Sequence, residues 1–282
     1  ASSIASAIGK CHFTTRDELI LSKIIEKPFE PNPITEWGVK YEDVAIQFYQ
    51  ELYDTKVLDF GLIPHPELDI FGASPDGICD DNGNKEYLSR MVEIKCPPKR
   101  KFTKTVPPHY WMQMQGQLEV CDLDECDFFQ VKFQEYENFD EYTKDVFNVD
   151  GTIYPGRTQL NYPKGVTITY KKENNLSYVY CPFNQTDEFY QKWILDQPQE
   201  DIHEIKWWWI ERYETTLVLR DKQWWTNIIE DILRFYRDLQ HFKKPGNTDD
   251  LVKRVEESKK RKKKETTKPL DEFMLISDEE DN

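Results

Sequence analysis

The chain has 282 residues, 38% hydrophobic and 14% aromatic, enough to bury a full core in one large domain or in one domain with an appendage. Its net charge of -15 excludes a surface that is basic throughout, but charge is segregated along the chain and a local basic patch can still hold phosphates. No apolar run approaches the roughly 20 residues of a membrane span, and the start lacks the basic and apolar regions of a signal peptide, so an intracellular protein away from membranes is expected.

The six cysteines show no C-x-x-C spacing, and reduced thiols are expected. No initiator Met leads the chain, which is expected to be trimmed at this end. Ser2 to Ile8 reads as a short helix, and Thr14 to Ile25 as a second with Glu18 placed for a capping box. Thr35 opens a third, whose apolar face is Tyr41, Val44, Ala45, Phe48 and Leu52, with Glu42 beside it. Val57 to Ile63 and Leu68 to Ala73 alternate as strands, the turn-prone Asp80 to Asn84 follows, and Tyr87 to Ile94 is a β-rich run. A basic loop then carries Lys99, Arg100, Lys101 and Lys104 up to Pro107 and Pro108, where a helix begins. Gln113 and Gln117 lie one turn apart on that helix, which suits a helix flanking a polar cleft.

Cys126 to Glu135 alternates as a strand, Val166 to Tyr170 and Leu176 to Tyr180 form a hairpin, and a helix runs from about Thr186 to Leu195. Trp207, Trp208 and Trp209 open a β-prone stretch reaching Leu219; core or interface burial suits them better than a stacking platform for bases. The last helix runs from about Lys222 to Phe242. The order of strands, helix and strand predicts an α/β core with a central mixed sheet flanked by helices. Residues 1–245 are expected to form one domain, with a motif-bearing core over about 1–135 and a divergent part over 136–245. Residues 246–282, with the basic run Lys259 to Lys264 and an acidic end, are expected to be a flexible charged tail that serves nuclear import, tethers DNA or is simply solvated.

Chemistry concentrates between Gly72 and Pro97. Strand alternation puts Glu93 and Lys95 on one face and Ile94 on the other. If the run ending at Lys95 neighbours the one leaving Asp76, then Asp76, Glu93 and Lys95 converge. Two carboxylates can hold a hard cation such as Mg²⁺, and a lysine beside them can orient and deprotonate a water. Three such residues alone also describe a solvated surface hairpin, and the flanks decide between the two.

Ser74-Pro75-Asp76-Gly77 followed by Glu93-Ile94-Lys95-Cys96-Pro97 resembles the PD-(D/E)xK motif of the lambda exonuclease / YqaJ viral recombinase family. The resemblance covers roughly Ser2 to Phe133. It includes Ala1-Ser2-Ser3-Ile4, Trp37-Gly38-Val39-Lys40-Tyr41-Glu42 and Tyr110-Trp111-Met112-Gln113-Met114-Gln115. It implies a restriction-endonuclease-like α/β core and a 5′→3′ exonuclease acting on linear double-stranded DNA in viral recombination, repair or replication. It also implies two Mg²⁺ or Mn²⁺ ions, with Asp76, Glu93, the Ile94 carbonyl and Glu42 as ligands, Lys95 orienting the water and Gln113 supporting it. Ser2 matches a residue that helps hold the 5′ phosphate, and Lys99, Arg100, Lys101, Lys104 and Gln117 are the further expected DNA contacts.

Duplex DNA ends are the expected partner, with a single-strand annealing protein and a homo-oligomer as further expectations; a viral protein would work in the host cytoplasm or nucleus. The alternatives carried beside this reading are an endonuclease or RNA-degrading relative of herpesvirus alkaline nucleases, and a catalytically silent DNA- or protein-binding module.

Overall fold

The structure, a computed structural model, describes residues 3–25, 32–99, 101–102, 105–173 and 175–266. The chain divides into two compact units: Glu30–Asp221, and Ser2–Phe29 together with Lys222–Asn282.

The first unit opens with α3 (Pro33–Tyr53), after the short helices α1 (Ile4–Ala7) and α2 (Arg16–Ser22) of the other unit. Asn32 caps α3 through its side chain, so the helix starts at Pro33, two residues before the expected start at Thr35, and Pro33 fits the first turn because its missing N–H is not needed there. The strands follow as β1 (Thr55–Leu58), β2 (Ile63–Pro64), β3 (Gly72–Ala73), β4 (Gly77–Gly83) and β5 (Met91–Lys95). Then come α4 (Pro108–Cys121), β6 (Glu125–Glu135), α5 (Phe139–Lys144) and the small hairpin β7 (Phe147–Val149) and β8 (Thr152–Tyr154). The unit closes with β9 (Lys164–Lys172), β10 (Asn175–Tyr180), α6 (Asp187–Asp196) and the 18-residue β11 (Ile202–Leu219).

Seven strands make one mixed sheet in the order β1-β4-β5-β6-β11-β9-β10. Among the described residues only β5 and β6 run parallel, joined by α4 as the crossover that a parallel pair requires. The fold is therefore the expected α/β class, with a central mixed sheet flanked by helices. On one face, Tyr41, Val44, Ala45, Phe48 and Tyr49 of α3 bury against Val92, Ile94, Phe129, Val131 and Phe133. On the other, Met114 and Leu118 of α4 bury against Met91, Cys126 and Phe128. Period-2 alternation along β5 thus sends Val92 and Ile94 toward α3, and Met91 and Glu93 toward α4.

Several expected boundaries moved for local reasons. The long strands expected over 57–63 and 68–73 are reduced to β1 and the two-residue β2 and β3. The expected turn at Asp80 to Asn84 is mostly strand. β4 extends to Gly83, where φ is +111° and an added Cβ would lie 2.2 Å from the Asp54 carbonyl, so only glycine fits. The run expected from Tyr87 begins as a strand only at Met91, because Asn84 caps a short 3-10 turn over Lys85–Tyr87. The α5 helix and the β7–β8 hairpin were not anticipated. Trp208 lies in the core beside Phe133, while the half-buried Trp209 and Trp207 pack against Tyr136 and Tyr142, in keeping with the expected burial.

In the second unit, Thr15 and Glu18 form the capping box of α2. Helix α7 (Lys222–Phe242) has the expected bounds, and α8 (Thr248–Thr266) lies where a flexible tail was expected. Ala7, Leu19 and Ile20 bury against Phe235, Leu239, Phe242, Leu251 and Val255, and Arg254 pairs with Asp17. The two ends of the chain thus share a core, a division different from the continuous 1–245 domain expected. Residues 267–282 lie outside the described residues. No helix among the described residues is long and apolar enough to cross a membrane, and Cys79, Cys96, Cys121, Cys126 and Cys181 are free thiols.

Candidate active site

The site is built where β4 and β5 pair. Gly77 faces Val92 and Ile78 faces Met91 in antiparallel register, so Asp76, one residue ahead of β4, comes level with the end of β5. Its Oδ2 accepts a hydrogen bond from the Ile94 backbone N–H at 2.7 Å. Gly77 is required by close approach: a Cβ there would lie 2.1 Å from Cγ1 of Val57 on β1. The residues Ser-Pro-Asp-Gly therefore serve as a tight entry that aims one carboxylate at the neighbouring strand.

Glu93 is 0% exposed, yet both of its oxygens are satisfied. Oε1 accepts from the Lys95 ammonium and from Nε2 of Gln113 at 2.8 Å; Oε2 accepts from Nε2 of Gln117 at 2.9 Å. Lys95 also donates to the Ile94 carbonyl at 2.8 Å and stands 3.8 Å from Oδ2 of Asp76. One ammonium thus gathers Asp76, Glu93 and the Ile94 carbonyl, three groups the sequence reading assigned to a cation.

The electrostatics follow from this crowding. Burial, and then the charge of Glu93, raises the Asp76 carboxyl to about 7 against the opposing pull of Lys95. Burial raises Glu42 as well, with Lys95 opposing. Burial alone would push Lys95 down, but Glu93 and Asp76 outweigh it and hold the ammonium well above its usual value. Lys95 is therefore a charged donor in this arrangement. Its N–H groups can orient a water beside the two carboxylates.

A divalent cation fits this donor set in chemical kind: the buried Glu93 carboxylate, the half-buried Asp76 carboxylate and a carbonyl, all hard oxygen ligands, already drawn around one positive charge. Among the described residues no three His, Cys, Asp or Glu side chains are gathered tightly enough to chelate a cation alone, so the Ile94 carbonyl and water would complete the shell. Glu42 is not part of that tight group. It lines an adjacent groove of about 400 Å³ with Ile34, Val39, Lys95 and Tyr110, near enough for its charge to raise Asp76.

The expected DNA contacts fare unevenly. Lys99 and Lys101 are exposed in the loop after β5, while Arg100, Lys104 and Ser2 lie outside the described residues. Gln117 is 1% exposed and bound to Glu93, so burial takes it out of reach of DNA. Gln115, which the sequence reading left without a role, ties α4 to the end of β11: its Nε2 donates to the Leu219 carbonyl and its Oε1 accepts from the Asp221 N–H. The alternation of three glutamines over 113–117 was the available signal: two face the sheet's acid and the third faces away.

Asp76, Glu93, Lys95, Gln113 and Gln117 all fall within residues 1–124, the span that matches a family by sequence. That family is the YqaJ-like viral recombinase domain. The YqaJ-like match ends between α4 and β6, so the strands from β6 to β11 lie beyond it. An uncharacterized protein of Acanthamoeba polyphaga mimivirus is 30% identical over 273 residues, covering 82% of this chain and 48% of that protein. The chain thus spans about half the length of that curated relative. An alkaline exonuclease from Laribacter hongkongensis is similar over 91% of this chain and 92% of its own, at 19% identity and a TM-score of 0.48. The same enzyme in complex with dAMP is 20% identical, with a TM-score of 0.47 over 86% of this chain and 87% of its own. A phage-related exonuclease from Haemophilus somnus is 15% identical, with a TM-score of 0.42 over 90% of this chain and 94% of its own.

Proposed function

We propose that this chain is a Mg²⁺- or Mn²⁺-dependent exonuclease that hydrolyses linear double-stranded DNA in the 5′→3′ direction, in viral DNA recombination, repair or replication. The observation that carries the metal-dependent hydrolase is the gathering of Asp76, Glu93 and the Ile94 carbonyl around the Lys95 ammonium. The polarity and the duplex substrate come from the resemblance of the Ser-Pro-Asp-Gly and Glu-Ile-Lys-Cys-Pro segments to the lambda exonuclease / YqaJ family.

Asp76, Glu93 and the Ile94 carbonyl would hold the cation. When bound, it supplies charge to stabilise the phosphate in the transition state and lowers the pKa of a coordinated water. Lys95 donates to the attacking oxygen and fixes its direction. Gln113 keeps the Glu93 carboxylate turned toward the same point. Glu42 adds negative charge on the groove side, strengthening the attraction for a second cation. The exposed Lys99 and Lys101 supply phosphate contacts that need no base recognition.

End-labelled linear duplex, closed circular DNA and RNA, each with Mg²⁺ or with EDTA, test the proposal. Release of 5′ label from linear duplex alone, abolished by EDTA and by Asp76→Ala, is the expected result. Nicking of circles or degradation of RNA would replace it with an endonuclease or ribonuclease. DNA binding without cleavage in either metal would leave only a binding module.

A further inference from the structure

We infer that Gln117 is a positioning residue of the proposed metal site, setting the orientation of the Glu93 carboxylate through the oxygen that Lys95 and Gln113 leave alone. The inference rests on the nuclease reading above.

The two oxygens of Glu93 are held differently. Oε1 takes both the Lys95 ammonium and the Gln113 amide, and it lies on the side shared with the Ile94 carbonyl and Asp76. Among the described residues the hydrogen bond to Oε2 comes from Gln117, at 2.9 Å. A cation drawn to the place of the Lys95 ammonium competes for Oε1, which leaves Gln117 to anchor the carboxylate from behind. The same Nε2 lies 3.5 Å from the Ser74 carbonyl, two residues before Asp76. One amide therefore touches both segments that carry the proposed acidic ligands.

The orientation of that amide is determined by its surroundings. Among the described residues Oε1 of Gln117 is buried without a hydrogen-bond partner, an arrangement with a free-energy cost. Turning the amide over would be worse, because it would set that oxygen against the carboxylate of Glu93 and the carbonyl of Ser74. A neutral donor also suits this position, since it holds Glu93 without neutralising the charge that would attract a dication, as a second ammonium would. Helical spacing delivers this arrangement, because Gln117 follows Gln113 by one turn on α4.

The test titrates Mn²⁺ into the full chain by calorimetry without DNA, for wild type and Gln117→Met, and measures binding of a labelled duplex in EDTA by anisotropy. Outer hydrogen bonds to ligating carboxylates typically carry about 10- to 100-fold in metal affinity, and a loss of that size is expected, with duplex affinity unchanged. Equal Mn²⁺ affinity in wild type and variant overturns the inference, as does weakened duplex binding with Mn²⁺ affinity intact, which would return Gln117 to direct DNA contact. If circular dichroism shows the Met variant unfolded, Gln117→Asn, which keeps an amide but is one methylene too short, takes its place with the same readouts. A wild type that neither binds Mn²⁺ nor cleaves DNA overturns the nuclease reading itself. A wild type that cleaves while the variant binds Mn²⁺ normally overturns this inference alone.

Discussion

The carboxylate of Asp76 accepts a hydrogen bond from the backbone N–H of Ile94 at 2.7 Å, across the β4–β5 pair. One acid is thereby locked to the strand that carries the other. Replacing Asp76 by Asn keeps an acceptor for Ile94 and removes only the charge. Because burial and the neighbouring Glu93 charge disfavour that carboxylate, Asp76→Asn is expected to be at least as stable as wild type in EDTA at pH 8. Its DNA cleavage should fall by about a thousandfold or more, the order lost with a group central to the chemistry. Thermal unfolding and an end-label assay check the two halves, and a large drop in unfolding midpoint would mean the charge is structural.

The raised Asp76 carboxyl gives stability a direction with pH. The folded group titrates at about 7 against 3.8 when unperturbed, so between those values the folded state holds a proton that the unfolded state has lost. Its contribution to stability is full below about pH 4 and is lost as pH rises through 7. A divalent cation favours the ionised form, so the gain in unfolding midpoint on adding Mn²⁺ should be larger at pH 8 than at pH 6, and cleavage should rise over the same interval. Equal Mn²⁺ shifts at the two pH values would remove Asp76 from the cation's ligands.

Lys95 is the protein's own cation beside the two acids. Lys95→Met leaves the fully buried Glu93 with two neutral donors and no positive charge. Removing one partner of a buried ion pair costs about 3 kcal/mol, and this loss should appear in EDTA as a lower denaturation midpoint in urea. Mn²⁺ should restore much of it without restoring cleavage. Stability unaffected by the substitution would mean that Glu93 is held by its glutamines alone.

Gly77 is a steric requirement. Gly77→Ala sets a methyl 2.1 Å from Cγ1 of Val57, and overpacking of this kind costs about 1–3 kcal/mol. It should also displace Asp76 and weaken Mn²⁺ binding. The double variant with Val57→Ala should recover most of both losses in a double-mutant cycle, whereas additive losses would place the requirement in the backbone conformation.

The sequence carried the parts of this protein set by local chemistry. Glycine and proline around Asp76, alternation through Glu93 and Lys95, the amphipathic stripe of α3 and the i,i+4 glutamines of α4 all rest on short-range geometry. Alternation set Glu93 and Lys95 on one face, where Asp76 joins them if the two runs pair, while Gln113 and Glu42 entered the site only through the family resemblance; the order of elements predicted a mixed sheet between helices. Contacts between distant segments could not be read that way. That Gln117 faces a buried acid and not DNA depends on how α4 packs over β5, and burial decides it. That β11 enters the sheet between β6 and β9 depends on pairing between segments far apart in the chain, which no local pattern encodes. The meeting of Leu19 and Ile20 with Phe235, Leu239 and Leu251 joins the two ends of the chain, because each amphipathic helix fixes which of its faces is apolar but leaves its partner to be found in three dimensions.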